Sequence, residues 1–392
     1  MNKYGARRST WGLLRAGLMG LGLVFVLPSA LAATASDELV IDAGSRMSHE
    51  ERRLRQQLQT QASNVDAAVA LAKLLLGRSR SEGDPRPAGQ GLAVLSPWTD
   101  PAKAPIAVLM QRADLQQHLH DFQAARANLE RLVKREPRHS QAWLTLATLH
   151  RLQGRYAAST QACTAVQRAG EVFFAQACLA ENMGLQGKTD QARTVLNALI
   201  GDDARSPEQR VWLLTTLAEL EARNKRPVVA EQAYKAALLL SPRDAYAAVS
   251  YADFLMQHNR AVDVVSALKS QVRSDAVLLR LTRARQQIKA PEAASDLKEL
   301  TARMSQDKLN PQERLGHARE HAMFALWIQK DSARALELAR LNVTAQREPV
   351  DLLLFAQAAR AAAAGQQVQA LKEIRQLKKE MGLFDERLDA LL

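Results

Sequence analysis

Five apolar segments of the chain each carry an alanine at the same place in a helical pattern. The alanines are separated by 34, 33, 38 and 34 residues, and a short polar turn follows each of them. A second apolar segment follows each turn, and two of these run into Pro137 and Pro242. This period predicts helix–turn–helix pairs that recur along the chain. The five positions are Ala113, Ala147, Ala180, Ala218 and Ala252.

Weaker forms of the pattern continue toward both ends of the chain. One such pair is indicated near residues 65–95, and a polar helix start at Asn310 opens one of the later helices. Because a single pair cannot bury its apolar face, the pairs must stack on one another. The sequence predicts an all-α fold of about eight helix pairs. The later helices are predicted at 275–288, 291–304, 310–329, 332–346, 350–364 and 366–381.

Three stretches match the signature of a known repeat and resemble the tetratricopeptide repeat. The resemblance implies a right-handed helix–turn–helix solenoid over residues 63–392, with divergent terminal repeats, preceded by a partly helical segment at 33–62. It also implies a concave groove that binds peptides, and it supplies no enzymatic activity. The matching residues are Trp143, Leu146, Ala147, Gly154 and Tyr156, then Ala125, Leu129 and Pro137, and also Ala230, Tyr234, Ala237 and Pro242.

The first 32 residues have the layout of a secretory signal peptide. Four basic residues precede an apolar stretch at 16–27, and Ala30-Leu31-Ala32 forms a small-residue cleavage site. A retained membrane anchor is the alternative, but twelve apolar residues are short of the roughly 20 that a spanning helix needs. We therefore expect cleavage after Ala32, a periplasmic location and no stable membrane insertion of the mature chain.

The mature chain keeps a positive charge. The full sequence carries 53 basic and 41 acidic residues, and removal of the signal peptide leaves 49 basic residues and a net charge of +8. For an exported protein this surplus does not indicate nucleic acid as a partner. Binding of an anionic envelope polymer to a basic surface is one alternative, and charges spread over solvated helix faces are another.

One short motif suggests catalysis. His317, Glu320 and His321 match the H-x-x-E-H spacing of a zinc peptidase, in which both histidines share one helix face. The site would need a further carboxylate, for which Glu337, Glu348 and Glu373 are available, but no supporting motif marks any of them. The alternative is a polar helix face. We therefore expect no enzyme activity, no bound metal and no cofactor.

A stripe beside the recurring alanines predicts the binding surface. Acids follow four of the five alanines directly, and aromatic residues lie two turns earlier in three of the helices. By the resemblance, this face lines the groove, which would be acidic and aromatic and would hold a peptide segment of an envelope protein. Alternatively, the acids are solvated and the aromatics seal neighbouring helices. The predicted groove residues are Asp114, Thr148, Phe174, Glu181, Trp212, Glu219, Tyr246 and Asp253.

The only two cysteines, Cys163 and Cys178, lie on consecutive predicted helices. The midpoint between them falls at the turn after Gly170, so in an antiparallel hairpin they stand at the same height. In an oxidising compartment this arrangement favours a disulfide. Two buried free thiols are the alternative.

Export gives the first testable prediction. Fractionation of cells should place the protein in the periplasm, and N-terminal sequencing of the mature form should begin at Ala33, because the small residues before it suit the signal peptidase. An uncleaved chain in the cytoplasm would contradict the export hypothesis.

Overall fold

Every regular element in the described part of the chain is a helix. The computed structural model describes residues 47–82, 84–98, 100, 102–304 and 315–392, so the signal peptide and the helix start at Asn310 lie outside the described residues. The helices within these ranges confirm the all-α class. None of the described helices is long and apolar enough to cross a membrane.

The chain divides into two compact units, with the division at Leu132 and Val133. In the N-terminal unit, Leu54, Leu71 and Leu75 form part of a buried apolar cluster. Helix α5 contains the division. The first five helices are α1 (His49–Thr60), α2 (Val65–Glu82), α3 (Arg86–Val94), α4 (Ile106–His118) and α5 (Phe122–Arg135).

The C-terminal unit consists of consecutive helix pairs. The first helix of each pair packs on its own second helix and also on the first helix of the next pair, from α6 to α18. This arrangement confirms the predicted helix–turn–helix stacking. The helices are α6 (Ser140–Leu152), α7 (Tyr156–Arg168), α8 (Val172–Leu185), α9 (Thr189–Ile200), α10 (Pro207–Arg223), α11 (Pro227–Leu240), α12 (Ala245–Gln257), α13 (Ala261–Leu268), α14 (Asp275–Gln287), α15 (Ala293–Met304), α16 (Ala318–Phe324), α17 (Ser332–Asn342), α18 (Pro349–Ala361), α19 (Ala364–Met381) and α20 (Glu386–Asp389).

The turn inside six of these pairs contains one residue in the left-handed conformation. The next amide donates to a carbonyl five residues back in five of the turns, as Arg155 does to His150 over 2.8 Å. This bond satisfies a carbonyl that the end of the first helix would leave unpaired. Four of the six turns follow the recurring alanines, as the sequence predicts, and the other two lie in the gaps between predicted helices at 289–290 and 330–331. The left-handed residues are Gly154, Gly187, Lys225, Asn259, Lys289 and Lys330.

The turn at Lys330 differs from the others. The π-helical segment Ala325–Gln329 follows α16, and the amide of Asp331 donates to the carbonyl of Ala325, six residues back. One extra residue is therefore inserted before this turn. The sequence predicts a single helix over 310–329; the helix does end at Gln329, but its last turn is π-helical, which the sequence does not indicate.

The C-terminal segment returns to the first two pairs of its own unit. The amide of Arg347 donates to the carbonyl of Leu152 over 2.7 Å, and that of Phe384 donates to Leu185 over 2.8 Å. Tyr156 and Leu185 belong to the same buried cluster as residues of α18 and α19. The end of the chain thus packs on the ends of α6 and α8.

Two glycines permit this close approach. A Cβ at Gly154 would lie 2.8 Å from Cγ of Met381, and a Cβ at Gly187 would lie 3.3 Å from Phe384. Both glycines also have positive φ, at 70° and 82°. Gly154 and Gly187 therefore adopt the left-handed conformation of their turns and also leave space for the C-terminal segment to pack against them.

A disulfide joins the second helix of one pair to the first helix of the next. Cys163 of α7 and Cys178 of α8 are bonded, and their Cα atoms are 5.7 Å apart, within the usual range for such bonds. Both are buried beside Ala147 and Ala162. The pairing favoured by the sequence is the one found in the structure.

Removal of this bond should destabilise the protein. A loop of about 15 residues closed by a disulfide contributes on the order of 3 kcal/mol. The double variant Cys163→Ala/Cys178→Ala should therefore unfold at a clearly lower urea concentration. Reductant should lower the urea midpoint of the wild type but not that of the variant. Two alkylated thiols in the native protein, treated without reductant, would show that the bond does not form.

Candidate functional site

The predicted groove aromatics pack between adjacent first helices. Phe174 of α8 stacks on Trp212 of α10 with ring centroids 6.3 Å apart, and Phe173 meets Trp212 edge-on at 6.2 Å. Together with the buried Val166 and Ala175 they form an apolar cluster in which Phe173 and Trp212 are partly buried. Phe174 and Trp212 therefore seal the contact between two pairs.

The predicted acids also join adjacent first helices. Nε of Arg151 lies 3.0 Å from a carboxylate oxygen of Glu181, which connects α6 to α8. In the next pairs, the hydroxyl of Tyr246 donates to Glu219 over 2.7 Å, which connects α12 to α10. These carboxylates are half-buried and engaged within the stack.

Asp253 makes the strongest of these connections. The guanidinium of Arg280 on α14 donates to both of its carboxylate oxygens, over 2.7 and 2.6 Å. The Arg280 side chain is only 5% exposed, and the Asp253 side chain is 20% exposed. The sequence predicts an acidic groove, and Glu181, Glu219 and Asp253 are each bound by a side chain of a neighbouring helix.

Two predicted residues remain. Thr148 is buried on α6, and its hydroxyl donates to the carbonyl of Leu144 over 3.1 Å. Asp114 lies in the N-terminal unit, where burial raises the pKa of its carboxyl to about 6 against the opposing charges of Arg80 and Lys73. Neither side chain offers an open charge for a partner.

A cavity of about 500 Å³ lies among later first helices of the C-terminal unit. It is bordered by α14, the π-helical segment, the turn that follows it and α18. A smaller cavity of about 60 Å³ shares Arg283, Trp327 and Gln357 with it and reaches Asp253 and Gln257 on α12. The larger cavity is lined by Arg283, Gln286, Gln287, Leu326, Trp327, Lys330 and Gln357.

Arg283 dominates the electrostatics of this cavity. Its guanidinium carbon lies 4.3 Å from the centroid of the Trp327 ring, an arrangement that attracts a cation to the ring face. Burial lowers the pKa of Arg283, and the nearby Asp253 only partly opposes this effect. Because Arg280 already neutralises Asp253, Arg283 has no ion-pair partner among the described residues. The ammonium of Lys330 adds a second positive charge and donates to the carbonyl of Trp327 over 2.6 Å.

The sequence contains a signal for Arg283 that the groove prediction does not use. The five predicted stripe residues, from Asp114 to Asp253, each lie six residues before the left-handed residue of a turn. In the next pair that turn residue is Lys289, and the residue six positions before it is Arg283. The alanine that marks the earlier pairs is replaced there by Thr282, so the pattern could be found only after the turn was located.

No zinc site forms at the H-x-x-E-H motif within the described residues, where no group of three metal-binding side chains is found. His317 precedes α16, and Glu320 and His321 lie on it. The three possible carboxylate ligands are held by arginines elsewhere: Glu337 by Arg334, Glu348 by Arg319 and Glu373 by Arg340.

The comparison with protein families agrees with the sequence resemblance. The family model described as "Tetratricopeptide repeat" matches residues 110–171, which confirms this type of repeat in the chain. No curated protein matches the sequence.

Several solved structures share helical architecture with the chain at low identity. PilF of Pseudomonas aeruginosa is 15% identical with a TM-score of 0.38, covering 52% of this chain and 93% of its own. A tetratricopeptide repeat protein of Parabacteroides merdae is 14% identical with a TM-score of 0.37, covering 64% and 98%. A Rap protein in complex with competence and sporulation factor is 11% identical with a TM-score of 0.49, covering 84% and 91%.

The pairing of Asp253 with Arg280 gives a stability prediction. Asp253→Asn would leave the buried Arg280 without its counter-charge and should lower the free energy of unfolding by about 1–3 kcal/mol in urea titrations. Asp203→Asn is the matched control, because Asp203 pairs with Arg210 but is fully exposed. Loss of this exposed ion pair should not measurably change the free energy of unfolding. Equal effects of the two substitutions would show that the Asp253 pair does not support the stack.

Proposed function

We propose that this tetratricopeptide-repeat protein is a non-catalytic scaffold that binds an extended peptide segment of an envelope protein. The observation that supports the proposal is the cavity of about 500 Å³ among α14, the π-helical segment and α18. We propose this cavity as the binding surface in place of the stripe predicted from the sequence, because the stripe residues on α8, α10 and α12 bind one another or neighbouring helices.

The cavity lining suits a peptide. Gln286, Gln287 and Gln357 contribute amides that can both donate to and accept from a peptide backbone. Trp327 and Leu326 provide apolar surface beside them, and aromatic residues of this kind tend to contribute most to binding free energy. The lining therefore combines five polar side chains with a small apolar surface formed by Leu326 and Trp327.

The proposed location is the bacterial periplasm. The basic and apolar pattern of residues 1–32 supports export, and the disulfide between Cys163 and Cys178 is of a kind that persists in oxidising compartments. In this compartment the chain would hold a segment of an envelope protein during its assembly or biogenesis.

Blocking the cavity should abolish binding. A photoreactive amino acid in place of the exposed Gln287 should form a discrete adduct with a partner protein in intact cells. The additional substitution Gln357→Trp should reduce this adduct strongly, because a large ring would fill the space that the peptide needs. Helicity and thermal midpoint should stay close to those of the parent.

Gln366→Trp is the control, since Gln366 is exposed on α19 and does not line the cavity. It should leave the adduct unchanged. An adduct that persists in the Gln357→Trp protein, or the absence of any adduct, would refute the proposed binding surface.

A further inference from the structure

The position six residues before the left-handed residue of each turn, here called the stripe position, changes from negative to positive charge at the cavity. In the pairs before α14 this position carries Asp114, Glu181, Glu219 and Asp253, with Thr148 as the remaining member. In the C-terminal unit, each of these acids forms an ion pair or a hydrogen bond with a side chain on a neighbouring first helix. Arg283 occupies the same position in α14, and its guanidinium faces an aromatic ring instead of a carboxylate.

A half-buried guanidinium without a counter-ion is costly, because its lost hydration is only partly replaced. Contact with the Trp327 ring replaces part of the hydration that the guanidinium loses. Gln286, Gln287, Gln357 and Lys330 form the rest of the polar lining, and none of them carries a negative charge. A carboxylate from a ligand would supply the missing partner and could accept two hydrogen bonds from the planar guanidinium.

Trp327 offers a second unsatisfied group. Its side chain is 91% buried, since only 9% is exposed, and its indole nitrogen has no hydrogen-bond partner among the described residues. Buried indole N–H groups usually find an acceptor. The same residue lies in the π-helical segment, and inserted π turns occur frequently at functional sites. Both residues line the same cavity, and neither the Arg283 guanidinium nor the Trp327 indole nitrogen has a hydrogen-bond acceptor among the described residues.

We propose that this cavity recognises an acidic side chain within the bound peptide, with the carboxylate of an aspartate or glutamate on Arg283 and a neighbouring apolar residue on Trp327 and Leu326. The inference rests on the proposed function and specifies the partner segment. The charge proposed for the peptide is opposite to the one that the sequence implies. An acidic groove would select a basic peptide, whereas this cavity would select an acidic one.

A carboxylate fits better than a phosphate. Among the described residues the larger cavity is lined by one guanidinium, that of Arg283, and one ammonium, that of Lys330, which uses one of its three donors on the carbonyl of Trp327. Sites for phosphate groups commonly use several cations or a helix N-terminus. A volume of about 500 Å³ can take one or two side chains of a peptide.

The test is a selection from random peptides. Twelve-residue peptides displayed as N-terminal fusions, so that their C-termini are not free, are selected on the mature wild-type protein. The same selection is made on Arg283→Gln and on Arg340→Gln. Arg340 is the matched control because it also lies near an aromatic ring, that of Phe355, but it pairs with Glu373 outside the cavity.

Peptides selected by the wild type and by Arg340→Gln should be enriched in aspartate or glutamate next to an apolar residue. Arg283→Gln should lose this enrichment and should bind the best acidic peptide about tenfold more weakly or worse, as expected for loss of a hydrogen-bonded ion pair. Circular dichroism checks that each variant remains folded.

Synthetic versions of the best peptide identify the source of the carboxylate. Amidation of the C-terminus should leave the dissociation constant unchanged, whereas replacement of the acidic residue by its amide should weaken binding about as much as Arg283→Gln does. If replacement of the acidic residue by its amide leaves the dissociation constant unchanged, the proposed side-chain recognition is wrong.

The remaining outcomes separate the inference from the proposed function. Peptides that bind equally well to wild type and Arg283→Gln, or that lack acids, would overturn the inference while peptide binding stands. A selection that yields no binder to any form of the protein would overturn both.

Discussion

The packing of each first helix on the next determines most of what this protein can do. Ala147, Ala180, Ala218 and Ala252 are wholly buried, and their small side chains allow the helices to approach closely. At such short separations, polar groups on neighbouring helices lie within hydrogen-bonding distance. The stripe residues beside the alanines therefore form contacts between pairs, and the stack is held by ion pairs and rings as well as by apolar burial.

Return of the C-terminal segment adds a second constraint on the same unit. A stack whose pairs contact only their neighbours can open at its ends. Here Arg347 and Phe384 donate backbone hydrogen bonds to the ends of α6 and α8, and the sequences at Gly154 and Gly187 leave room for Met381 and Phe384. Early and late pairs are thereby connected, so the unfolding of one pair removes contacts that stabilise the others.

Local signals in the sequence were sufficient for much of the fold. The period of the alanines located the pairs, four turns of the C-terminal unit lie where their polar dipeptides indicate, and the spacing of Cys163 and Cys178 around Gly170 predicted the disulfide. The π-helical insertion could not be predicted in this way, because it changes hydrogen bonding by a single residue without a change in apolar pattern. The partners of Glu181 and Asp253 were also missed, since each arginine lies on another pair about 30 residues away in the sequence.

The location of the cavity follows from these same contacts. As far as Asp253, the stripe residues of the C-terminal unit form bonds to their own helix or to a neighbouring one, so the first helices remain closed against each other. At Arg283 the following first helix ends in a π turn, and an aromatic ring faces the guanidinium where the regular pattern would place a hydrogen-bonding group. A ring cannot accept the in-plane hydrogen bonds of the guanidinium, so the contact at Arg283 leaves these donors without acceptors among the described residues. Whether a stripe residue stabilises the stack or lines the cavity therefore depends on which group of the neighbouring first helix faces it.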